Sequence, residues 1–101
     1  MCGICGIVGD SNRRAVDAMI SAMHHRGPDD NCSYSGENFS IGMTRLSIID
    51  VSPCGHQPMS NDDQSIWIVY NGETYNFMDL REELENAGCH FHSNSDTEVI
   101  L

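Results

Sequence analysis

The apolar residues of this chain recur with two different periods, and the changes of period predict its order of strands and helices. The apolar run within residues 4–8 predicts a first strand. Residues 13–25 are expected to form an amphipathic helix, because their apolar positions recur three and four residues apart. Residues 10–12 supply turn and N-cap side chains before that helix, and Gly27-Pro28 ends it. The stripe of this helix that we expect to be buried consists of Val16, Met19, Ile20 and Met23.

Apolar and polar residues alternate strictly in the middle of the chain. After a strand around residues 32–35 and a turn at 36–38, apolar and polar residues alternate over 39–44, which predicts a half-buried strand. The apolar positions then change parity close to Arg45, and this change predicts a bulge or bend. Residues 51–64 carry prolines, a glycine and an Asn-Asp-Asp cluster, so we expect a loop that ends in a turn.

The last third of the chain has one continuous apolar run, at residues 66–70, which predicts a strand buried on both faces. Asn71-Gly72 is ordinarily a hairpin turn, but a helix capped by Asn76 follows it instead of a second strand. The expected stripe of that helix is Phe77, Leu80, Leu84 and Ala87, and its expected end is Gly88. Residues 90–92 predict a short strand. Residues 97–101 begin a helix too short to be stable alone, so we expect the sequence to be a fragment of something longer.

Composition narrows the class of protein. The chain has 101 residues, enough for one small domain, and a formal net charge of −10 from fifteen acidic residues and five arginines. Such a surface repels phosphate groups, so we expect no nucleic-acid partner and no membrane partner. No apolar run reaches the length of a membrane span, and the N-terminus resembles no secretory leader. Five cysteines without obvious pairing fit a reducing compartment, so we expect a cytoplasmic protein.

Cys2 is the candidate nucleophile. It directly follows Met1, and methionine is readily removed before a small second residue. Removal would place an α-amine and a thiol on one residue, which is the arrangement of an N-terminal nucleophile. Cys2 and Cys5 also form a C-x-x-C, the pattern of a redox pair or half of a zinc site. We favour the nucleophile, because residues three apart in a strand point to opposite faces and no second C-x-x-C follows.

Six segments carry a family resemblance: MCGICGIVG at 1–9, HRGPDD at 25–30, RLSIID at 45–50, GHQPM at 55–59, YNGETYN at 70–76 and SDTEVIL at 95–101. In this order they resemble the glutaminase domain of class II glutamine amidotransferases, which are N-terminal-nucleophile hydrolases. The N-terminal cysteine, which is Cys2 in this chain, and the Asn-Gly are shared with phosphosugar and phosphoribosyl amidotransferases. RLSIID and GHQPM resemble the glutamine-hydrolysing asparagine synthetases more closely.

This resemblance implies that L-glutamine is hydrolysed to glutamate and ammonia. Cys2, once Met1 is removed, would attack the side-chain amide and form a thioester. Its own α-amine would carry the proton to the departing ammonia. The side-chain amide of Asn71 and the backbone N–H of Gly72 would form the oxyanion hole.

The resemblance also implies a pocket for glutamine as a free amino acid. Arg45 would bind the α-carboxylate, and Asp96 would accept from the α-ammonium group with help from Glu73. The other implied positions are Leu46, Ser47, Ile48 and Ile49, which would line the pocket through their main chain beside Asn71 and Gly72, and Arg26 and Gly27, which would shape the loop over the nucleophile. No metal-binding residue is implied.

The implied fold is α+β, the N-terminal half of a four-layer αββα sandwich, with residues 1–101 as an incomplete type-2 glutamine amidotransferase domain. In the family, a synthetase domain follows and uses ATP and Mg to amidate aspartate. This chain is therefore expected to need no cofactor of its own. A homodimer is a candidate assembly of the full-length enzyme.

Three alternatives remain open. The chain could be a non-catalytic fragment or interaction module with a vestigial site. It could belong to another class II amidotransferase that delivers ammonia to a different acceptor. Finally, Cys89, His90 and His92 could contribute to a metal domain, although no further ligand pair accompanies them.

Overall fold

The computed structural model describes residues 2–46 and 56–101. Ser47, Ile48 and Ile49 of the implied pocket, and residues 51–55 of the predicted loop, lie outside the described residues. In chain order the elements are β1 (Gly3–Val8), α1 (Arg13–Ala22), a short 3₁₀ helix (His24–Arg26), β2 (Asp30–Ser35), β3 (Phe39–Arg45), β4 (Met59–Ser60), β5 (Trp67–Ile68) and α2 (Phe77–Asn86). In the described part of the chain, neither α-helix has the length and apolar character that crossing a bilayer requires.

β1, β3 and β2 form an antiparallel sheet in which β3 is the central strand. The three strands predicted for this part of the chain are therefore confirmed, although β2 begins at Asp30, earlier than expected. Thr44 lies opposite Gly3 on one side and Asn31 on the other. β3 continues through Arg45, and the predicted bend beyond it stays a prediction, because residues 47–55 are not described.

α1 begins where the sequence predicts, because the Asn12 side chain accepts from the Ala15 N–H at 3.0 Å. The helix ends earlier than expected, at Ala22. The Met23 N–H is shared between the carbonyls of Met19 and Ile20, at 3.1 and 3.0 Å, and this tightening leads into the 3₁₀ helix. The prediction of one helix over 13–25 therefore merges two elements.

The face of the sheet that packs under α1 is made of small residues. Ser40 and Thr44 are fully buried, and a Cβ atom on Gly42 would lie 2.5 Å from Ile20 Cδ1. The Ser40 hydroxyl accepts from the Asn12 N–H at 2.9 Å, which fixes the start of α1 on the sheet. Alternation correctly predicts the strand, but the apolar residues of β3 mostly face away from α1.

The opposite face of the sheet contacts the second sheet through aromatic rings. Tyr34 stacks on Trp67 with 3.6 Å between ring centroids and 12° between planes. β4 and β5 form an antiparallel hairpin, with Met59 opposite Ile68. The described residues thus form a small mixed α/β unit, with a helix on one side of a three-stranded sheet and a two-stranded sheet on the other.

Several predictions for the second half of the chain are wrong. The strand predicted over 66–70 consists only of Trp67–Ile68. Among the described residues β5 pairs only with β4, and Ile66 is 54% exposed instead of buried. β4 itself lies within the loop predicted over 51–64. Residues 90–92 form no strand, and 96–100 form turns instead of a helix. These segments are held by side-chain hydrogen bonds that a hydrophobic pattern does not reveal.

α2 begins after Asn76 and is followed by Gly88, as predicted. The N–H of Gly88 donates to the Glu85 carbonyl at 3.0 Å and that of Cys89 to the Leu84 carbonyl at 2.9 Å, which is the Schellman pattern. Asn76 makes no side-chain capping bond. The predicted stripe is not a buried core: three of its members are half-buried and Ala87 is exposed.

The close approach of α1 to β3 predicts that Gly42→Ala destabilises the fold by about 1–3 kcal/mol through overpacking. Ile20→Val alone should cost about 0.5–1.5 kcal/mol. In the Gly42→Ala background it should cost less or become stabilising, because it removes the Cδ1 atom that the new methyl meets. Urea unfolding of the four proteins measures this coupling. If the two substitutions changed the free energy of unfolding additively, this would contradict the contact between Ile20 and position 42.

Cys5 lies beneath α1, with Sγ 3.7 Å from the Gly42 carbonyl and 3.9 Å from that of Val16. Burial, and secondarily the charge of Asp17, raise the pKa of its thiol. The stability contributed by this group is present below the ordinary thiol pKa, about 8.5, and is lost as pH rises from there through the folded value.

We therefore expect the rate of Cys5 alkylation to increase at a higher pH in the folded chain than in the chain unfolded by urea. Asp17→Asn should bring the two pH profiles closer, because it removes a charge but keeps an oxygen that can accept the Ser33 hydroxyl, now 2.6 Å from the Asp17 carboxylate. Peptide mass spectrometry after timed alkylation measures both profiles. If the folded and unfolded parent chains gave the same pH profile, the raised pKa of Cys5 would be refuted.

Candidate active site

Cys2 lies beside the end of β3, because the pairing of Gly3 with Thr44 brings the start of β1 there. The Leu46 N–H donates to Cys2 Sγ at 3.4 Å, and the Leu46 carbonyl lies 3.7 Å from the same sulfur. The thiol is therefore held by main-chain groups and is half-buried.

The carbonyl of Cys2 is held by two side chains from distant parts of the chain. The Asn71 side-chain amide donates to it at 3.0 Å, and the Arg26 Nε donates at 3.2 Å. The structure thus brings Cys2, Arg26, Leu46 and Asn71 together, and we call these four residues the Cys2 cluster. An Asn amide has two N–H donors, so one remains for another acceptor while the first holds this carbonyl.

Gly27 lies directly against the backbone of β3. A Cβ atom there would be 2.5 Å from the Arg45 nitrogen and 2.6 Å from the Thr44 carbonyl carbon. The Asp29 N–H donates to the Arg45 carbonyl at 3.1 Å, so the segment after the 3₁₀ helix runs along the end of this strand. Only glycine leaves room for this approach, which fixes Arg26 beside Cys2.

Arg45 lies opposite Asp30 in the sheet, and the Asp30 carboxylate also contacts Nδ1 of His56. Cross-strand neighbours of opposite charge interact favourably. Sequence reasoning did not single out Asp30 or His56. Their only signal was their presence in the HRGPDD and GHQPM segments.

Asp96 belongs to a second group of site residues. It is 7% exposed, and its Oδ2 accepts from the Thr74 N–H at 2.8 Å. Gly72 and Glu73 precede Thr74 on the same loop and are exposed. A Cβ atom on Gly72 would lie 2.9 Å from the Tyr70 ring. Asp96 therefore lies against the loop that also carries Asn71, which links it to the Cys2 cluster.

Gln57 is a buried residue that the sequence analysis did not select. Its Oε1 accepts from the Tyr70 N–H at 2.7 Å, and its Nε2 donates to the Thr97 hydroxyl at 3.0 Å. It is 6% exposed. A polar residue between histidine and proline gives no periodic signal, so its burial could not be predicted.

The residues suggested for a metal domain do not converge. Within residues 2–46 and 56–101, no three His, Cys, Asp or Glu side chains are placed to hold a metal ion. His92 instead bonds Asp62, with 3.0 Å between Nε2 and the carboxylate, and this contact raises the pKa of the imidazole. In the same described ranges, Cys2, Cys5, Cys32 and Cys89 are free thiols.

Comparison with known proteins agrees with this geometry. The family of glutamine amidotransferase domains matches residues 1–101. The chain is 44% identical to asparagine synthetase [glutamine-hydrolyzing] 1 of Bacillus subtilis, over 97% of this chain and 17% of that protein. It is 39% identical to putative asparagine synthetase [glutamine-hydrolyzing] 2 of Methanocaldococcus jannaschii, over 100% of this chain and 23% of that protein. It is also 39% identical to asparagine synthetase [glutamine-hydrolyzing] of Brassica oleracea, over 99% of this chain and 17% of that protein.

The chain spans between 17% and 23% of the length of these three relatives. What it shares with them is a glutamine amidotransferase domain, matched along its whole length. The chain belongs to the glutamine amidotransferase domain family, as the N-terminal cysteine and the six segments predict.

Proposed function

We propose that this chain is the glutaminase part of a glutamine-hydrolysing asparagine synthetase and that it hydrolyses L-glutamine to glutamate and ammonia. The observation that supports this most directly is the approach of Asn71 to Cys2, with 3.0 Å between the side-chain amide and the Cys2 carbonyl. These residues are 69 positions apart. Their convergence brings an amide donor to the residue that carries the thiol, and this supports acyl transfer through a thioester.

In the proposed reaction, Met1 is first removed and the α-amine of Cys2 becomes free. The amine takes the thiol proton while Sγ attacks the side-chain carbonyl carbon of glutamine, and the C–N bond then breaks as the proton passes to the leaving ammonia. Water attacks the resulting thioester, which releases glutamate and returns the proton to sulfur. One water is consumed, and glutamate and ammonia are the products.

The oxyanion of each tetrahedral intermediate would be stabilised by Asn71 and Gly72. The second N–H of the Asn71 amide and the backbone N–H of Gly72 are the proposed donors. The first N–H of Asn71 holds the Cys2 carbonyl, so the same side chain would fix the nucleophile and stabilise the charge that develops on the substrate.

The amino-acid end of glutamine would be bound by two opposite charges. Arg45 would bind the α-carboxylate, and Asp96, with Glu73, would accept from the α-ammonium group. Leu46 would line the pocket through its main chain, where its N–H and carbonyl already contact Cys2 Sγ. We propose the same main-chain role for Ser47, Ile48 and Ile49, and loop-shaping roles for Arg26 and Gly27.

We further propose that residues 1–101 are the N-terminal part of a four-layer αββα sandwich. The support is the order of layers, with α1 on one face of the three-stranded sheet and the hairpin of β4 and β5 on the other through the Tyr34–Trp67 stack. In the whole enzyme, ammonia would amidate aspartate with ATP and Mg in a synthetase domain. A cytoplasmic location and a homodimer belong to the same proposal.

Labelling tests the nucleophile. An electrophilic diazoketone analogue of glutamine should add once per chain, at Cys2, and tryptic mass spectrometry locates the adduct. Cys2→Ser should abolish the adduct, since the hydroxyl is a far weaker nucleophile. Cys5, Cys32 and Cys89 are internal controls, because a merely reactive reagent would label them as well.

The α-amine is tested by the same reagent with an uncleaved N-terminal extension before Cys2. This change keeps the thiol and removes the free amine, so labelling should slow. Labelling that is equally fast with the extension would refute the proposed proton transfer. A folded chain with a free N-terminal Cys2 and no adduct would favour the non-catalytic module instead.

Asn71→Ala should lower kcat for glutamine hydrolysis by about 100- to 1,000-fold, because it removes an oxyanion donor. Arg26→Met is the matched control, since it also removes a donor to the Cys2 carbonyl but none to the substrate. Arg26→Met should lower kcat by about tenfold or less, which is the effect of losing one ordinary hydrogen bond. Ammonia release at saturating glutamine measures both. Equal losses would show that Asn71 acts only by holding Cys2.

A further inference from the structure

We propose that Gln57 is a positioning residue that sets the distance between the oxyanion donors and the acceptor for the α-ammonium group. The inference rests on the proposed function and extends it to a residue with no role in the mechanism above. Among the described residues, the Gln57 side chain is bonded to Tyr70 and Thr97, neither of which is proposed to bind glutamine. It would act through the two segments that contain these partners and the proposed site residues beside them.

The two hydrogen bonds of Gln57 reach the neighbours of proposed site residues. Its Oε1 accepts from the Tyr70 N–H at 2.7 Å, immediately before Asn71. Its Nε2 donates to the Thr97 hydroxyl at 3.0 Å, immediately after Asp96. One side chain thus bridges the loop that follows β5 and the turn that begins at Asp96.

The chemistry of the two partners determines the orientation of this amide. A backbone N–H can only donate, so the atom facing Tyr70 must be the oxygen, and the nitrogen then faces Thr97. Gln57 is 6% exposed and Thr97 is 2% exposed, so water cannot easily replace either bond. An amide is the neutral side-chain group that offers both an acceptor and a donor over this span.

The bridge has a functional consequence because glutamine has a fixed separation between its amide carbon and its α-nitrogen. The site must hold the Asn71–Gly72 donors and the Asp96 carboxylate at a matching separation. A second connection already joins the same segments, since Asp96 Oδ2 accepts from the Thr74 N–H at 2.8 Å. With both connections, the loop and the turn form one rigid unit. Displacements of about 1 Å in such units can cost about 100-fold in rate.

The test compares glutamine with glutaramate, which is glutamine without its α-amino group. Only glutamine uses Asp96, so the ratio of the two kcat/KM values reports how well the ammonium acceptor is placed. Loss of folded protein lowers both values equally and leaves the ratio unchanged. The ratio therefore separates positioning from simple destabilisation.

Thr97→Val removes the hydroxyl while keeping the size of the buried side chain, and we expect it to lower the ratio by about tenfold. Thr97→Ser keeps the hydroxyl and should keep the ratio of the parent chain. Gln57→Met, which keeps length but removes both polar atoms, should lower the ratio at least as much. Adding Thr97→Val to Gln57→Met should then change it little, because the shared bond is already lost.

An unchanged ratio in Thr97→Val, with both kcat/KM values reduced alike, would overturn the inference and leave Gln57 as a structural brace. If Thr97→Val does not fold, an unchanged ratio in Gln57→Met overturns it in the same way. Absence of hydrolysis and of Cys2 labelling in the folded parent chain with a free N-terminal Cys2 would overturn the proposed function itself, and this inference with it.

Discussion

The antiparallel pairing of β1 with β3 is the constraint on which the site depends. Cys2 directly precedes β1 and is not itself one of the paired residues. Six consecutive residue pairs along β3 supply that constraint and bring the sulfur to the main chain of Leu46. The two bonds to the Cys2 carbonyl then restrict its backbone. The position of the thiol is thus determined by strand pairing and the main chain of Leu46, together with two side-chain donors to the Cys2 carbonyl.

Close packing on both sides of β3 makes this pairing stable in one register. Gly42 lets α1 approach one face, and Gly27 lets the segment after the 3₁₀ helix lie against the end of the strand. A shift of one residue in β3 would place Ile41 or Met43 under α1 in place of Gly42 and reverse the faces of the strand. The same steric demands that hold the fold therefore hold Arg26 beside Cys2.

The first half of the fold could be predicted because local signals there agree with tertiary packing: Asn12 caps α1, and alternation identifies β3. Apart from α2, the second half could not, because residues 56–101 are joined through polar contacts between residues far apart in the sequence. The Thr74 N–H, for example, donates to Asp96 Oδ2 at 2.8 Å, although the two residues are 22 positions apart. Chemistry indicated Cys2 as a candidate nucleophile, whereas Asn71 and Asp96 were selected only by resemblance. The Asp30–His56 contact and Gln57 were missed, since a pair formed by folding leaves no period in the sequence.

The electrostatics of the chain make the separation of charges in the site important. With fifteen acidic residues and five arginines, carboxylates alone would repel the carboxylate of an incoming amino acid. A zwitterion is accepted only if its two ends meet opposite charges, and a buried charge left without its partner costs several kcal/mol. Asp96 is buried, and its Oδ2 already accepts from the Thr74 N–H. In the proposed site, selectivity for a free amino acid would depend on holding Asp96 and Arg45 at a fixed separation, which neither residue can ensure alone.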